Sequence, residues 1–209
     1  MDDRFSEIVS SEAQFRAVIG HPIDLVVRKH IHALDRFCRV FIERSPFLLL
    51  ASADGEGRMD VSPKGDPAGF VQVLDEHTLV IPDRPGNRRA DTFCNLLANP
   101  NVALIFLVPG KQETLRVSGR ACIVRDAWIR ERMAVQGKVP EFAIVVKVEE
   151  AFFHCAKCVV RSKLWDPLAW PGTAGLPTLA EASLAHAKLD CSVHEVQAVI
   201  DEGLRNRLY

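Results

Sequence analysis

Long hydrophobic runs are missing from this sequence. The longest, Phe47 to Ala51 and Val102 to Pro109, have the length of strands. Crossing a bilayer takes roughly 20 consecutive apolar residues, so no membrane-spanning helix is expected. Charge of one sign is missing too: 26 Lys and Arg stand against 27 Asp and Glu, for a formal charge of −1. That balance argues against a globally basic nucleic-acid binder. No internal repeat or low-complexity tract is evident. The opening Met1-Asp2-Asp3-Arg4 is acidic and no apolar stretch follows it, so a secretory leader is not expected and the chain reads as cytoplasmic. What remains is an ordinary folding composition, 48% hydrophobic and 25% charged over 209 residues, which can build a packed core.

The six cysteines, 38, 94, 122, 155, 158 and 191, are scattered. In a chain with ample core-forming residues and no leader they are expected as free thiols. Cys155-Ala156-Lys157-Cys158 after His154 is the one cluster with metal-ligand or redox spacing. It lacks the further ligands a zinc site needs, so the pair reads as thiols at a strand end, with no metal expected.

The period of the pattern changes along the chain. Ser11-Glu12-Ala13-Gln14 is a capping box, and a stripe of Leu25, Val26, His30, Leu34, Phe37, Cys38 and Phe41 predicts one helix over about 23–44. From residue 47 the pattern is that of strands: 47–52 and 58–63 around an Asp54-to-Gly57 turn, then 69–74, 78–82, 102–108, 114–124 and 142–153. Short strands and tight turns predict an antiparallel barrel or sandwich. One helix, 87–98, interrupts them. A Pro- and Gly-rich stretch over 164–177 reads as a linker, and capping boxes at Thr178 and Ser192 start two more helices. The organisation expected is one domain in three parts: N-terminal helices packing on the barrel over 1–44, a barrel over 45–163, and a linker with helices over 164–209.

The most informative segment is Ile81-Pro82-Asp83-Arg84-Pro85-Gly86-Asn87-Arg88-Arg89-Ala90-Asp91. It passes from a strand through a Pro/Gly turn into a helix start carrying two arginines. Free amides and the positive dipole end favour an anion there. Guanidinium groups add charge-assisted bonds to phosphate. Basic residues in a first helical turn oppose the dipole, a cost that a bound anion would offset. Met59-Asp60-Val61-Ser62-Pro63-Lys64-Gly65-Asp66 follows the second strand, and Lys64 and Ser62 could serve the same ligand from a polar turn.

Taken in order, S-P-F-L-L-L-A-S, M-D-V-S-P-K-G-D, I-P-D-R-P-G-N-R-R-A-D-T, N-P-N-V-A-L-I-F-L-V-P-G and E-T-L-R-V-S-G-R-A resemble the pyridoxamine 5′-phosphate oxidase-like, FMN-binding split-barrel family over about 45–167. F-F-H-C-A-K-C and R-S-K-L-W-D-P resemble a bacterial subgroup of flavin nucleotide-binding proteins. The resemblance implies a mainly β fold with flanking helices: a six-stranded antiparallel Greek-key split barrel, homodimeric, with FMN in two clefts at the subunit interface. It implies that Met59, Asp60, Val61, Ser62 and Lys64 lie beside the flavin, that Pro82 and Asp83 meet its edge, and that Asn87, Arg88 and Arg89 hold the phosphate. Thr114 falls where family oxidases present an amide to the flavin. Arg161, Ser162 and Trp165 would reach it from the second subunit. The oxidases' R-L-H-like substrate motif has no equivalent in Arg161-Ser162-Lys163-Leu164-Trp165, so vitamin B6 oxidation is not the expected reaction. The expected function is flavin-dependent oxidoreduction of an unidentified small substrate, the alternative being a flavin-binding or storage module without turnover. His154 and Lys157 are candidates for the substrate side of the flavin, with a buried, hydrogen-bonded role the plainer reading of His154.

Overall fold

The computed structural model describes residues 4–209; Met1 to Asp3, on which the reading of an acidic opening mostly falls, lie outside the described residues. Helix α1 (Glu12–Ile19) starts at the Ser11–Gln14 capping box, as its sequence predicts. The single helix expected over 23–44 is instead two, α2 (Asp24–Arg28) and α3 (Arg36–Arg44). A long-range contact divides them. Ile31 donates to and accepts from the backbone of Ala151 at 3.0 and 2.8 Å, and Asp35 restarts the helix by accepting from the amides of Phe37 and Cys38. Of these helices α3 delivers Cys38, Phe41 and Ile42 to the core, while α1 and α2 bury no residue.

Seven strands follow: β1 (Phe47–Ala53), β2 (Met59–Gly65), β3 (Gln72–Val73), β4 (Thr78–Pro82), β5 (Asn101–Leu107), β6 (Thr114–Val124) and β7 (Ala143–His154). They form one sheet in the order β2-β1-β5-β6-β7-β4-β3, and every pairing is antiparallel. The fold is thus mainly β with flanking helices. The sheet is open, with β2 and β3 at its edges. The resemblance implies six strands, and the sheet has seven; of these β3 keeps only two of the six residues expected over 69–74. Between β4 and β5 the chain crosses from one side of the sheet to the other through helix α4 (Asp91–Ala98).

The core lies against the face that alternation predicts. Leu48 and Leu50 of β1, Leu104 and Phe106 of β5, Leu115 and Val117 of β6, and Ile144 and Val146 of β7 are buried together with Phe41 and Ile42. A smaller cluster of Val80, Ile129, Met133 and Ala143 covers the opposite face near the start of β7 under helix α5 (Ala127–Arg132). Each fully buried aliphatic side chain contributes about 1.5–3 kcal/mol. The long β6–β7 ladder is interrupted once, by a bulge at Ser118/Gly119. A side chain at Gly119 would overlap the Lys147 carbonyl, which explains the glycine.

After β7 the chain forms helix α6 (Lys157–Ser162), a 3-10 turn at Pro167–Ala169, and helices α7 (Leu179–Ala187) and α8 (Val193–Asn206). Both capping boxes predicted for α7 and α8 are formed. No helix among the described residues is long and apolar enough to cross a membrane.

Candidate functional site

Ser62 and Pro63 lie in strand β2, as expected over 58–63, and the strand runs on through Lys64 and Gly65, where the sequence reads as a polar turn. Their places follow from register: Lys64 stands opposite Leu48, Ser62 opposite Leu50 and Asp60 opposite Ser52. Directly opposed residues share a face of the sheet, and Leu48, Leu50 and Ser52 are buried. Asp60, Ser62 and Lys64 are accordingly half-buried along the inner side of this edge strand, while Met59, Val61 and Pro63 are exposed on the outer side. Proline is tolerated there because β2 is an edge.

The 83–90 loop runs past this strand, and the two are matched by charge. Asp66 and Arg84 form a buried ion pair, Nε to Oδ2 at 2.6 Å. Asp83 faces Lys64. Burial pushes the Asp83 carboxyl above the ordinary carboxylate range, and the nearby positive charges of Lys64 and Arg84 offset that only in part. Farther along, Asp60 adds to the stronger influence of Asp91 in holding the Arg89 guanidinium protonated. The two segments singled out by sequence therefore lie together.

The loop itself differs from its sequence reading. Helix α4 starts at Asp91, so Arg88 and Arg89 precede the helix rather than occupying its first turn. The acidic Asp91 takes the first turn, where negative charge is favourable, so no arginine opposes the helix dipole there. The strain lies in the backbone instead. Arg88 and Ala90 have φ of 61° and 56°, a left-handed conformation that costs a non-glycine residue about 1–2 kcal/mol. Ala90 cannot cap α4, and no side chain among the described residues bonds the amides at its start. Asn87 Oδ1 accepts from the Arg89 amide at 3.0 Å, and Arg89 Nε reaches Asp91 Oδ2 at 2.8 Å. Arg88 is exposed and has no hydrogen bond or ion pair among the described residues. The Lys64 ammonium interacts with the charge of Asp83 and makes no hydrogen bond among the described residues. Uncapped amides beside cations without direct partners fit a phosphate.

Thr114, Arg161 and Trp165 are not part of this group. Pro82 pairs with Ala143, the first residue of β7, whereas Thr114 pairs with His154, the last. At about 3.3 Å per residue the ends of this strand lie roughly 36 Å apart along its length. Trp165 stays at the Thr114 end, its Nε1 donating to the Lys111 carbonyl at 2.8 Å. Arg161 is exposed on α6, which follows β7 directly. A hollow of about 420 Å³ opens at the same end, between Ile31, Phe37, Cys38, Phe152 and Phe153 with Lys29 and Lys111 at its rim.

His154 is half-buried and makes no side-chain hydrogen bond among the described residues, unlike the buried, hydrogen-bonded histidine expected. Lys157 is exposed on α6. Cys155 follows β7 and Cys158 lies on α6; both are exposed, and all six cysteines are free. Among the described residues no group of three or more His, Cys, Asp or Glu could hold a metal ion. Cys38 is buried, and burial, reinforced by Asp35, pushes its thiol up to about 12, so it stays protonated.

Sequence reading missed the surroundings of Arg84. Its Nη2 donates to the Met133 carbonyl at 2.9 Å, and its guanidinium faces the Tyr209 ring at 5.6 Å. Tyr209 in turn donates its hydroxyl to Asp66 Oδ1 at 2.7 Å. The only local signal was a charged pair inside the two motifs.

An antiparallel β protein with a cationic loop crossing its edge strand is thus the class that fold and site define. The sequence profile of the pyridoxamine 5′-phosphate oxidase family matches residues 34–155, and the chain belongs to that family. No curated protein matches it significantly. Among solved structures, it is similar to HupZ of Group A Streptococcus, at 18% identity and a TM-score of 0.47 over 57% of this chain and 92% of that one. A candidate pyridoxamine 5′-phosphate oxidase of Lactobacillus delbrueckii matches at 20% identity and 0.46, over 58% and 99% of the two chains. An FMN-binding protein of Syntrophomonas wolfei matches at 13% and 0.42, over 56% and 88%.

Proposed function

We propose that this protein binds FMN at the interface of a homodimeric split barrel and acts as a flavin-dependent oxidoreductase on a small substrate, in the cytoplasm. What supports the reading is the meeting of β2 with the 83–90 loop, where Asp66 pairs with Arg84 and Lys64 acts on Asp83, and where Arg88 and Arg89 lead into the uncapped start of α4. Family membership supports the choice of FMN among phosphorylated ligands. Bound there, the flavin would supply the two-electron chemistry that no side chain provides.

The chain's own residues bind and orient. Arg88 and the first amides of α4 take the phosphate, with Asn87 shaping the loop and Arg89 held beside it by Asp91. Lys64 and Ser62 offer polar contacts from the inner side of β2, and Met59, Asp60 and Val61 complete that strand. Pro82 closes β4, and Asp83 retains a proton to higher pH than an ordinary carboxylic acid. Thr114, Arg161 and Trp165 act from the second subunit, because within one chain they stand at the far end of β7.

The test begins with purified protein. Its absorption spectrum and the cofactor released on denaturation should identify FMN. Anaerobic mixing with NADH, NADPH and then dithionite should bleach the flavin. A preparation that takes up no FMN when reconstituted refutes the cofactor; one that binds FMN but is reduced by no biological donor refutes the oxidoreductase reading.

A further inference from the structure

The Asp66 carboxylate is 1% exposed, and both of its oxygens are occupied: Oδ2 by Arg84 at 2.6 Å and Oδ1 by the Tyr209 hydroxyl at 2.7 Å. Burying a carboxylate is costly unless it is paired and hydrogen-bonded, as this one is. Each group is tied to a different part of the fold. The Asp66 amide bonds the Pro46 carbonyl just before β1, and the Asp83 amide, next to Arg84, bonds the Phe142 carbonyl just before β7. Arg84 also reaches Met133 beyond α5, and Lys138 Nζ lies 3.4 Å from the Tyr209 carbonyl oxygen. Arg84 is therefore committed to the protein and is not one of the cations open to a ligand. Yet it sits at the root of the loop that carries them, four residues before Arg88.

We propose that Asp66 and Tyr209 form a clasp on Arg84 that fixes the root of the 83–90 loop and so positions Arg88 and Arg89 for an anionic ligand that neither Asp66 nor Tyr209 touches. The inference rests on the FMN reading only for the identity of that ligand. Asp66 holds Arg84 by charge, and Tyr209 closes the pair by donating to the second oxygen and laying its ring against the guanidinium. These two residues are 143 positions apart in the chain. The loop is thus held by a segment that follows the whole sheet in sequence.

The test is Tyr209→Phe, which keeps the ring and removes only the donor. Trypsin supplies a readout specific to the loop: Arg88-Arg89 and Arg89-Ala90 are cleavable, whereas the bond after Arg84 precedes Pro85 and resists. At a temperature where circular dichroism shows both proteins folded, Tyr209→Phe should speed cleavage after Arg88 and Arg89 about threefold or more, while cleavage after Lys163 is unchanged. The same variant should raise the FMN dissociation constant by about two- to tenfold, the range for one lost hydrogen bond. Unchanged loop cleavage, or faster cleavage with unchanged FMN affinity, overturns the clasp. If the unaltered protein binds no FMN and the loop cleavage still accelerates, the cofactor reading fails while the clasp stands, with inorganic phosphate as the protecting anion to be titrated in its place.

Discussion

Arg88→Ala isolates the phosphate site more cleanly than any other single change. The side chain is exposed and makes no hydrogen bond or ion pair among the described residues. Truncation should therefore leave stability within about 0.5 kcal/mol. Against a phosphate, a charge-assisted hydrogen bond contributes about 1.5–3 kcal/mol, and an exposed loop belongs at the low end of that range. FMN affinity should fall about 10- to 30-fold. Arg89→Ala should do less, because Arg89 is already engaged by Asp91 at 2.8 Å. The backbone supplies a control. Arg88 has φ of 61°, so Arg88→Gly removes the same charge and also relieves about 1 kcal/mol of strain. The two variants should share one weakened affinity, with the glycine form melting higher than the alanine form. Flavin fluorescence quenching on titrating apoprotein, at low and at moderate salt, measures the affinities; differential scanning fluorimetry measures the melting. An unchanged FMN dissociation constant in Arg88→Ala would refute the phosphate assignment, and equal melting of the alanine and glycine forms would refute the strain.

Two further expectations concern the fold and its ionisation. Gly119→Ala forces a methyl group into the Lys147 carbonyl at the β6–β7 bulge and should cost about 3 kcal/mol or more; urea unfolding with an unshifted midpoint would contradict it. Burial raises Asp83, so its contribution to stability is fully present below the unfolded value of about 3.9 and declines as pH rises through the higher folded value. Asp83→Asn should accordingly be more favourable to stability, relative to the parent, at pH 7 than at pH 3.5. A difference of melting temperatures that stays constant between those pH values excludes that burial effect.

The features legible in sequence were those with short causes. The Ser11, Thr178 and Ser192 capping boxes each involve residues three apart, and all three form. Strand β6 was legible to the residue, since alternation continues from Thr114 to Val124 without a competing pattern. The misreadings have distant causes. An apolar stripe joins 24–28 to 36–44, but the Ile31 backbone bonds to Ala151 of β7 and breaks the helix. Arg88 and Ala90 adopt left-handed backbone that neither residue type announces, which moved the start of α4 to Asp91. The strand expected over 58–63 stops at Pro63, before a Lys-Gly-Asp that reads as a turn; the free edge of β2 admits the proline, and the strand continues to Gly65. Both halves of the Asp66–Arg84 pair stood inside the motifs read from sequence, but Tyr209, which completes the cluster, has no local signature at all.

The length of β7 has a consequence for symmetry. In the two-fold dimer proposed above, each chain gives its phosphate loop to one cleft and its Thr114–Trp165 end to the other, so the two clefts are identical and neither belongs to a single chain. Damage then distributes by parentage. A hybrid of one chain lacking Arg88 with another lacking Trp165 would hold one cleft bearing both defects and one bearing neither, and two individually impaired chains would restore one intact site out of two.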